Sequence, residues 1–132
     1  AHLGLFYPVT DASCASASYS ELGEGYFLSA AQMHWFWRQY LEHPQQGEDP
    51  LASPLHAEDL AGLPPTTLLT AEFDPLRDEG EAFAERLAAA GVAVRLQRCA
   101  GMIHGFVSMA AFVEGAALAL DQLAADLRRA LR

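Results

Sequence analysis

Three short apolar runs, at residues 3–9, 66–71 and 92–98, are separated by segments of helix length, and this alternation restricts the chain to an α/β architecture. The first run, Leu3-Gly4-Leu5-Phe6-Tyr7-Pro8-Val9, is nearly continuous in apolar character, as suits a strand covered on both faces of a parallel sheet. The second, Thr66-Thr67-Leu68-Leu69-Thr70-Ala71, is entered from Pro64-Pro65, which cannot continue a helix. The third, Val92-Ala93-Val94-Arg95-Leu96-Gln97-Arg98, alternates apolar and polar residues and reads as a half-exposed strand near a sheet edge. Strands separated by helices imply parallel pairing through crossovers. Three such strands cover themselves poorly, so the sequence reads as half a sheet whose first strand wants a further neighbour.

Residues 11–25 are rich in Ser, Ala and Gly and read as loop or loosely helical cover. Ser29 opens a helix, with Gln32 three residues on in a capping-box pattern. Met33, Phe36, Trp37, Tyr40 and Leu41 then recur at helical spacing, an aromatic face suited either to core or to the wall of a pocket. Residues 43–50 read as a polar turn. A second helix ends near Ala90, with Phe83 and Leu87 on one face and Gly91 as its stop. A last helix is expected to present Phe112, Ala116, Leu120, Leu123, Leu127 and Leu131 as one stripe.

Charge excludes some partners. Lys and Arg number 8 against 17 Asp and Glu, a formal net charge of −9. No basic stripe is present, so nucleic acid is not an expected partner, and an acidic surface disfavours anionic membranes. No apolar run approaches the roughly 20 residues that span a bilayer. The two cysteines, Cys14 and Cys99, are isolated and read as packed thiols. A cytoplasmic location is the expectation. The opening Ala-His-Leu-Gly begins inside a strand without initiator Met, which reads as a fragment or a processed chain.

Asp74 and His104 follow the second and third runs. In parallel α/β sheets the carboxyl ends of strands converge on the ligand site, and neighbouring strands lie about 4.8 Å apart. An Asp and a His there can pair, the carboxylate fixing the imidazole tautomer and stabilising the imidazolium that forms when the ring takes a proton. Each also has an ordinary structural reading. Asp74 before Pro75-Leu76 suits a helix cap, as does Asp78, which lies with Glu79 and Glu81 near the positive end of the following helix. His34, His43 and His56 lack ligand spacing, and no metal is expected. Cys99 has no nucleophile elbow and no evident activating group.

Several linked motifs go further. Tyr7-Pro8-Val9-Thr10-Asp11, Ser53-Pro54-Leu55, Asp59-Leu60-Ala61-Gly62-Leu63-Pro64-Pro65, Ala71-Glu72-Phe73-Asp74-Pro75-Leu76-Arg77-Asp78-Glu79-Gly80 and Gly101-Met102-Ile103-His104-Gly105-Phe106 occur in order. Together they resemble the bacterial hormone-sensitive-lipase-like (family IV) carboxylesterases over essentially the whole chain. The resemblance implies the C-terminal part of an α/β-hydrolase fold, residues 1–132 holding its last three, mostly parallel strands with flanking helices, and about 13–48 forming a helical cap segment. It carries the triad acid onto Asp74 and the general base onto His104. Phe27, Met33, Phe36, Trp37, Leu55 and Phe106 become candidate substrate-binding residues. No cofactor is implied. Such esterases often dimerise through their outer strand, here 92–98.

The chain departs from that pattern in one large respect. It has no Gly-x-Ser-x-Gly elbow and no His-Gly-Gly-Gly-type oxyanion loop. The expectation is therefore a serine carboxylesterase of short- to medium-chain esters whose nucleophile lies upstream of Ala1, the isolated chain being inactive. The alternative is a non-catalytic fragment that self-associates through exposed sheet edges. A third reading, a ligand-binding hydrolase relative without catalysis, is disfavoured by the retention of both Asp74 and His104.

Overall fold

A computed structural model describes residues 1–131 of the chain. Among these residues three strands, β1 (Leu3–Phe6), β2 (Thr66–Phe73) and β3 (Val94–Ile103), form one parallel sheet in the order β1-β2-β3. The connecting segments hold helices α1 (Ala17–Leu22), α2 (Ala30–Tyr40) and α3 (Arg77–Ala89), and α4 (Glu114–Ala130) follows β3. Parallel neighbours require long crossovers, and the two segments between strands supply them. Short 3-10 turns occupy Pro44–Glu48, Pro54–His56 and Phe106–Met109.

The central strand is the most deeply covered element: its first six residues are all buried. Successive side chains point to opposite faces. Leu68 therefore joins Leu60, Phe83, Ala84, Leu87 and Val92 beneath α3, while Leu69 and Ala71 join Cys99, Phe106, Ala116, Ala119 and Leu123 beneath α4. A third cluster, Cys14, Tyr19, Leu28, Met33 and Leu76, packs α1 and α2 over the carboxyl end of the sheet. The cap of α2 is the one read from the sequence. Ser29 Oγ accepts the Gln32 N–H at 3.1 Å, and the Gln32 side chain accepts the Ser29 N–H at 2.8 Å.

Three boundaries differ from expectation, each for a physical reason. β1 stops at Phe6 because Tyr7 turns to a φ of 35° and Pro8 has no N–H to offer a ladder. β3 does not end near Arg98 in a loop through Gly101; it runs to Ile103. Ala71 pairs with Cys99 and Phe73 with Ile103, so a bulge takes up the extra residues on β3. Gly101 sits there at a φ of 73°, its N–H donating to Glu72 Oε2 at 2.6 Å. At its other end β3 loses Val92, which turns inward under α3.

The expected stripe on α4 is also corrected. The buried face is Ala116, Ala119, Leu123 and Asp126, with Leu120 exposed and Phe112 at 93% and Leu131 at 74% exposure. Small residues face the sheet because the helix approaches closely: a Cβ added at Gly4 of β1 would lie 3.1 Å from Leu123. Asp126 is tolerated inside because Thr67 Oγ1 donates to its carboxylate at 3.1 Å and Arg95 reaches the same group.

Leu68→Ala removes a fully buried side chain between β2 and α3. It is expected to lower unfolding stability by about 2–5 kcal/mol, read as a fall in the urea midpoint at unchanged slope. A loss under about 1 kcal/mol would mean that the α3 face is loosely packed.

Candidate active site

β2 and β3 each release one polar residue at the same edge of the sheet. Asp74 follows β2 and is fully buried. One carboxylate oxygen accepts the Leu76 N–H at 2.9 Å and the other meets His104 Nδ1 at 2.8 Å. Its carbonyl accepts the Arg77 N–H at 3.0 Å, so the residue also seats the start of α3. A carboxylate can only accept, which places the proton on Nδ1 and leaves Nε2 as the nitrogen for a reacting group. The extension of β3 to Ile103 is what brings His104 alongside Asp74.

The chain around His104 is shaped to hold it there. Gly105 has a φ of 79°, and a Cβ at that position would meet the Phe27 ring at 3.4 Å. Phe106, 1% exposed, anchors the following turn in the core. Tyr7 lies against the imidazole with ring centroids 4.4 Å apart and planes inclined at 57°, and meets Phe106 edge-on at 5.4 Å. Arg77 braces the opposite side of the Asp74 turn, donating to Asp78 at 2.7 Å, to Glu21 at 3.0 Å and to the Glu72 carbonyl at 3.3 Å.

A cavity of about 660 Å³ opens beside His104. Met33, Phe36, Trp37, Gln39 and Tyr40 of α2 form one wall, and Val9, Leu28, Ala52 and Leu76 complete it. Three of the six candidate substrate-binding residues thus line the cavity with His104: Met33, Phe36 and Trp37. The other three lie elsewhere. Leu55 packs beside the Leu60 and Leu68 cluster, its N–H on the Thr10 carbonyl at 3.0 Å and its own carbonyl accepting the Arg86 guanidinium. Phe106 is committed to the core beneath α4, and Phe27 is 71% exposed with its ring against Gly105.

Val9, Leu28, Ala52 and Leu76 were not legible as lining because they lie on other segments of the chain, and Gln39, three residues after Phe36 on α2, is polar and falls outside its aromatic pattern. Glu79 was legible only as an acidic residue in the first turn of α3. The structure buries it at 2% exposure, where one oxygen accepts the Thr10 N–H at 2.5 Å and the Asp11 N–H at 3.1 Å. Its other oxygen has no partner among the described residues, nor do Tyr19 Oη and Trp37 Nε1, both buried. Burial pushes the Glu79 carboxyl up to about 7 against the pull of those two N–H groups. Burial likewise pushes the Cys99 thiol up, which disfavours the reactive thiolate. His56 pairs with Asp11 at 3.0 Å, away from His104.

Known proteins share this arrangement of chain. A family model described as alpha/beta hydrolase fold matches residues 1–108. An ethyl acetate hydrolase of Pseudomonas putida is 43% identical over 112 residues, covering 85% of this chain and 35% of that protein. Carboxylic ester hydrolase LipN of Mycobacterium tuberculosis is 41% identical over 125 residues, covering 94% and 33% respectively. Among solved structures, EstE1, a thermostable carboxylesterase cloned from a metagenomic library, superposes with a TM-score of 0.95 at 46% identity, covering 99% of this chain and 45% of its own. The chain therefore spans about a third of the length of the curated relatives it matches.

The raised Glu79 carboxyl has a consequence for stability. Its folded value, about 7, lies above the ordinary 4.5, so the folded chain holds that proton more tightly than the unfolded one. The stability this provides is complete below pH 4.5 and is lost as pH rises through about 7. Urea titrations across that window are expected to show a falling profile that Glu79→Gln flattens. An equal fall in the variant would assign the slope to other groups.

Proposed function

The chain belongs to the α/β-hydrolase fold family, and from that premise we propose that it supplies the acid and the base of a serine carboxylesterase of the hormone-sensitive-lipase-like type. The observation that carries this reading is the 2.8 Å contact between buried Asp74 and His104 at the mouth of an aromatic-walled cavity. His104 Nε2 takes the proton of a serine hydroxyl as that oxygen attacks the ester carbonyl. Asp74 keeps the imidazole in one tautomer and stabilises the imidazolium. The same base then activates water against the acyl-enzyme. The serine and the oxyanion loop are contributed by a segment outside the 132 residues. Residues 13–48 act as the cap, and the apolar face of α2 selects uncharged short- to medium-chain acyl groups.

The same reading makes a second copy the partner for the outer edge of β3, where Leu96 is 40% exposed and backbone groups stand ready to pair. Among the described residues no helix is long and apolar enough to cross a membrane. A cytoplasmic site of action is part of the proposal.

The test is hydrolysis of p-nitrophenyl butyrate by the protein from its full reading frame, beside Asp74→Asn and His104→Ala. Asp74→Asn keeps an oxygen for the Leu76 N–H, so folding is expected to survive while turnover falls by roughly 10³–10⁴-fold. His104→Ala is expected to fall at least as far. Near-normal turnover in either variant would sink the role assignment. Activity of the 132 residues alone would mean that the nucleophile lies within them.

A further inference from the structure

We propose that Tyr7 is the positioning residue for His104, its ring fixing the imidazole plane that the single hydrogen bond to Asp74 leaves free. This rests on the reading of His104 as the base. One contact at Nδ1 sets where that nitrogen lies, but the ring can still swing about the Nδ1···Oδ2 line. The His104 side chain retains 22% of its exposure, so its surroundings do not wedge it on every side. The Tyr7 ring, 4.4 Å away and inclined at 57°, supplies the second restraint, and two restraints define a plane.

The backbone shows that this placement is imposed. Tyr7 has a φ of 35°, a left-handed conformation that bulky residues avoid, and it precedes Pro8, which further narrows what its backbone tolerates. Strain of this kind persists only where the surroundings over-determine it. Here the Tyr7 N–H donates to the Leu69 carbonyl at 2.6 Å, tying it to β2, and Phe106 closes on the ring edge at 5.4 Å. An unstrained continuation of β1 would alternate its side chains across the sheet and take the ring elsewhere.

The hydroxyl is not the working part. Burial and then the negative charge of Asp74 push the phenol above its ordinary value, so it stays neutral wherever an esterase of this kind operates. The ring carries the effect, and Phe is the conservative replacement.

Three variants separate this from a merely structural role. Tyr7→Leu removes the ring and keeps bulk; Tyr7→Gly removes the ring and suits the left-handed backbone, so it guards against simple misfolding; Tyr7→Phe keeps the ring. Imidazole ¹⁵N–¹H spectra are expected to show the His104 Nδ1 proton protected from water exchange in the wild type and in Tyr7→Phe. In Tyr7→Leu and Tyr7→Gly it is expected to broaden away. In the protein from the full reading frame, the two ring-less variants are expected to lose about 10–100-fold in kcat with KM within about twofold, while Tyr7→Phe stays within about threefold of wild type. A protected proton and near-normal kcat in both ring-less variants would overturn the proposal, as would a Tyr7→Phe loss as large as theirs. The spectra need no substrate. A wild type that fails to hydrolyse esters yet shows the ring-dependent proton would sink the esterase reading and leave the positioning of His104 by Tyr7 standing.

Discussion

Burying a carboxylate is costly unless it is hydrogen-bonded, and Asp74, fully enclosed, is bonded on both oxygens, by the Leu76 N–H on one and His104 on the other. Much of the local architecture follows from those two bonds. The first fixes the turn between β2 and α3, so the helix leaves the strand in one direction. The second requires β3 to deliver an imidazole to within 2.8 Å, which the bulge around Gly101 achieves by carrying the strand on to Ile103. The sheet is covered on one face by α3 and on the other by α4, so this edge is where polar chemistry meets an open cavity.

Glu79 performs a second tie one turn further along. Its carboxylate gathers the Thr10 and Asp11 N–H groups, fastening the segment after β1 to the start of α3. The amino-terminal end of a helix favours negative charge. The same helix end thus receives the loop that leads from β1 and the turn that follows β2. Tyr7 and Val9 belong to the first of these and Leu76 to the second, and all three reach the cavity or the imidazole. A shift of α3 would therefore move both sides of the site together.

What could be read from the sequence was what local chemistry fixes. The Ser29–Gln32 cap, the run at β2 and the placement of Asp74 and His104 after strands depend on residues close in sequence or on the strand–helix order. What could not be read depended on distant partners. The bulge in β3 exists because Glu72, on another strand, holds the Gly101 N–H. The inward face of α4 is set by how near Gly4 lets it come, so small side chains and a satisfied Asp126 displaced the larger Leu120. Leu55 and Phe106 became pocket candidates through the resemblance, yet Phe106 is buried beneath α4 and Leu55 packs half-buried against the Leu60 and Leu68 cluster. Glu79 read only as a charge at the start of α3 because nothing local reveals the two N–H groups arriving from Thr10 and Asp11.

Backbone strain is distributed unevenly over the molecule. Of the three non-glycine residues with positive φ, Tyr7 and Phe27 lie against His104 and Gly105, while Cys14 packs with Tyr19, Leu28, Met33 and Leu76 over the carboxyl end of the sheet. At the opposite end of the strands, His2, Thr67, Arg95 and Asp126 are joined by ordinary side-chain hydrogen bonds. A side chain's aim is set by the dihedrals of its own backbone, so an element that must present a ring or an imidazole in one direction accepts conformations that an unconstrained chain would leave. Each such non-glycine residue costs on the order of 1–3 kcal/mol, which the packed layers beneath must offset. Relief at Tyr7 would free part of that energy only by releasing the ring from His104, and stability and aim at this edge are therefore opposed.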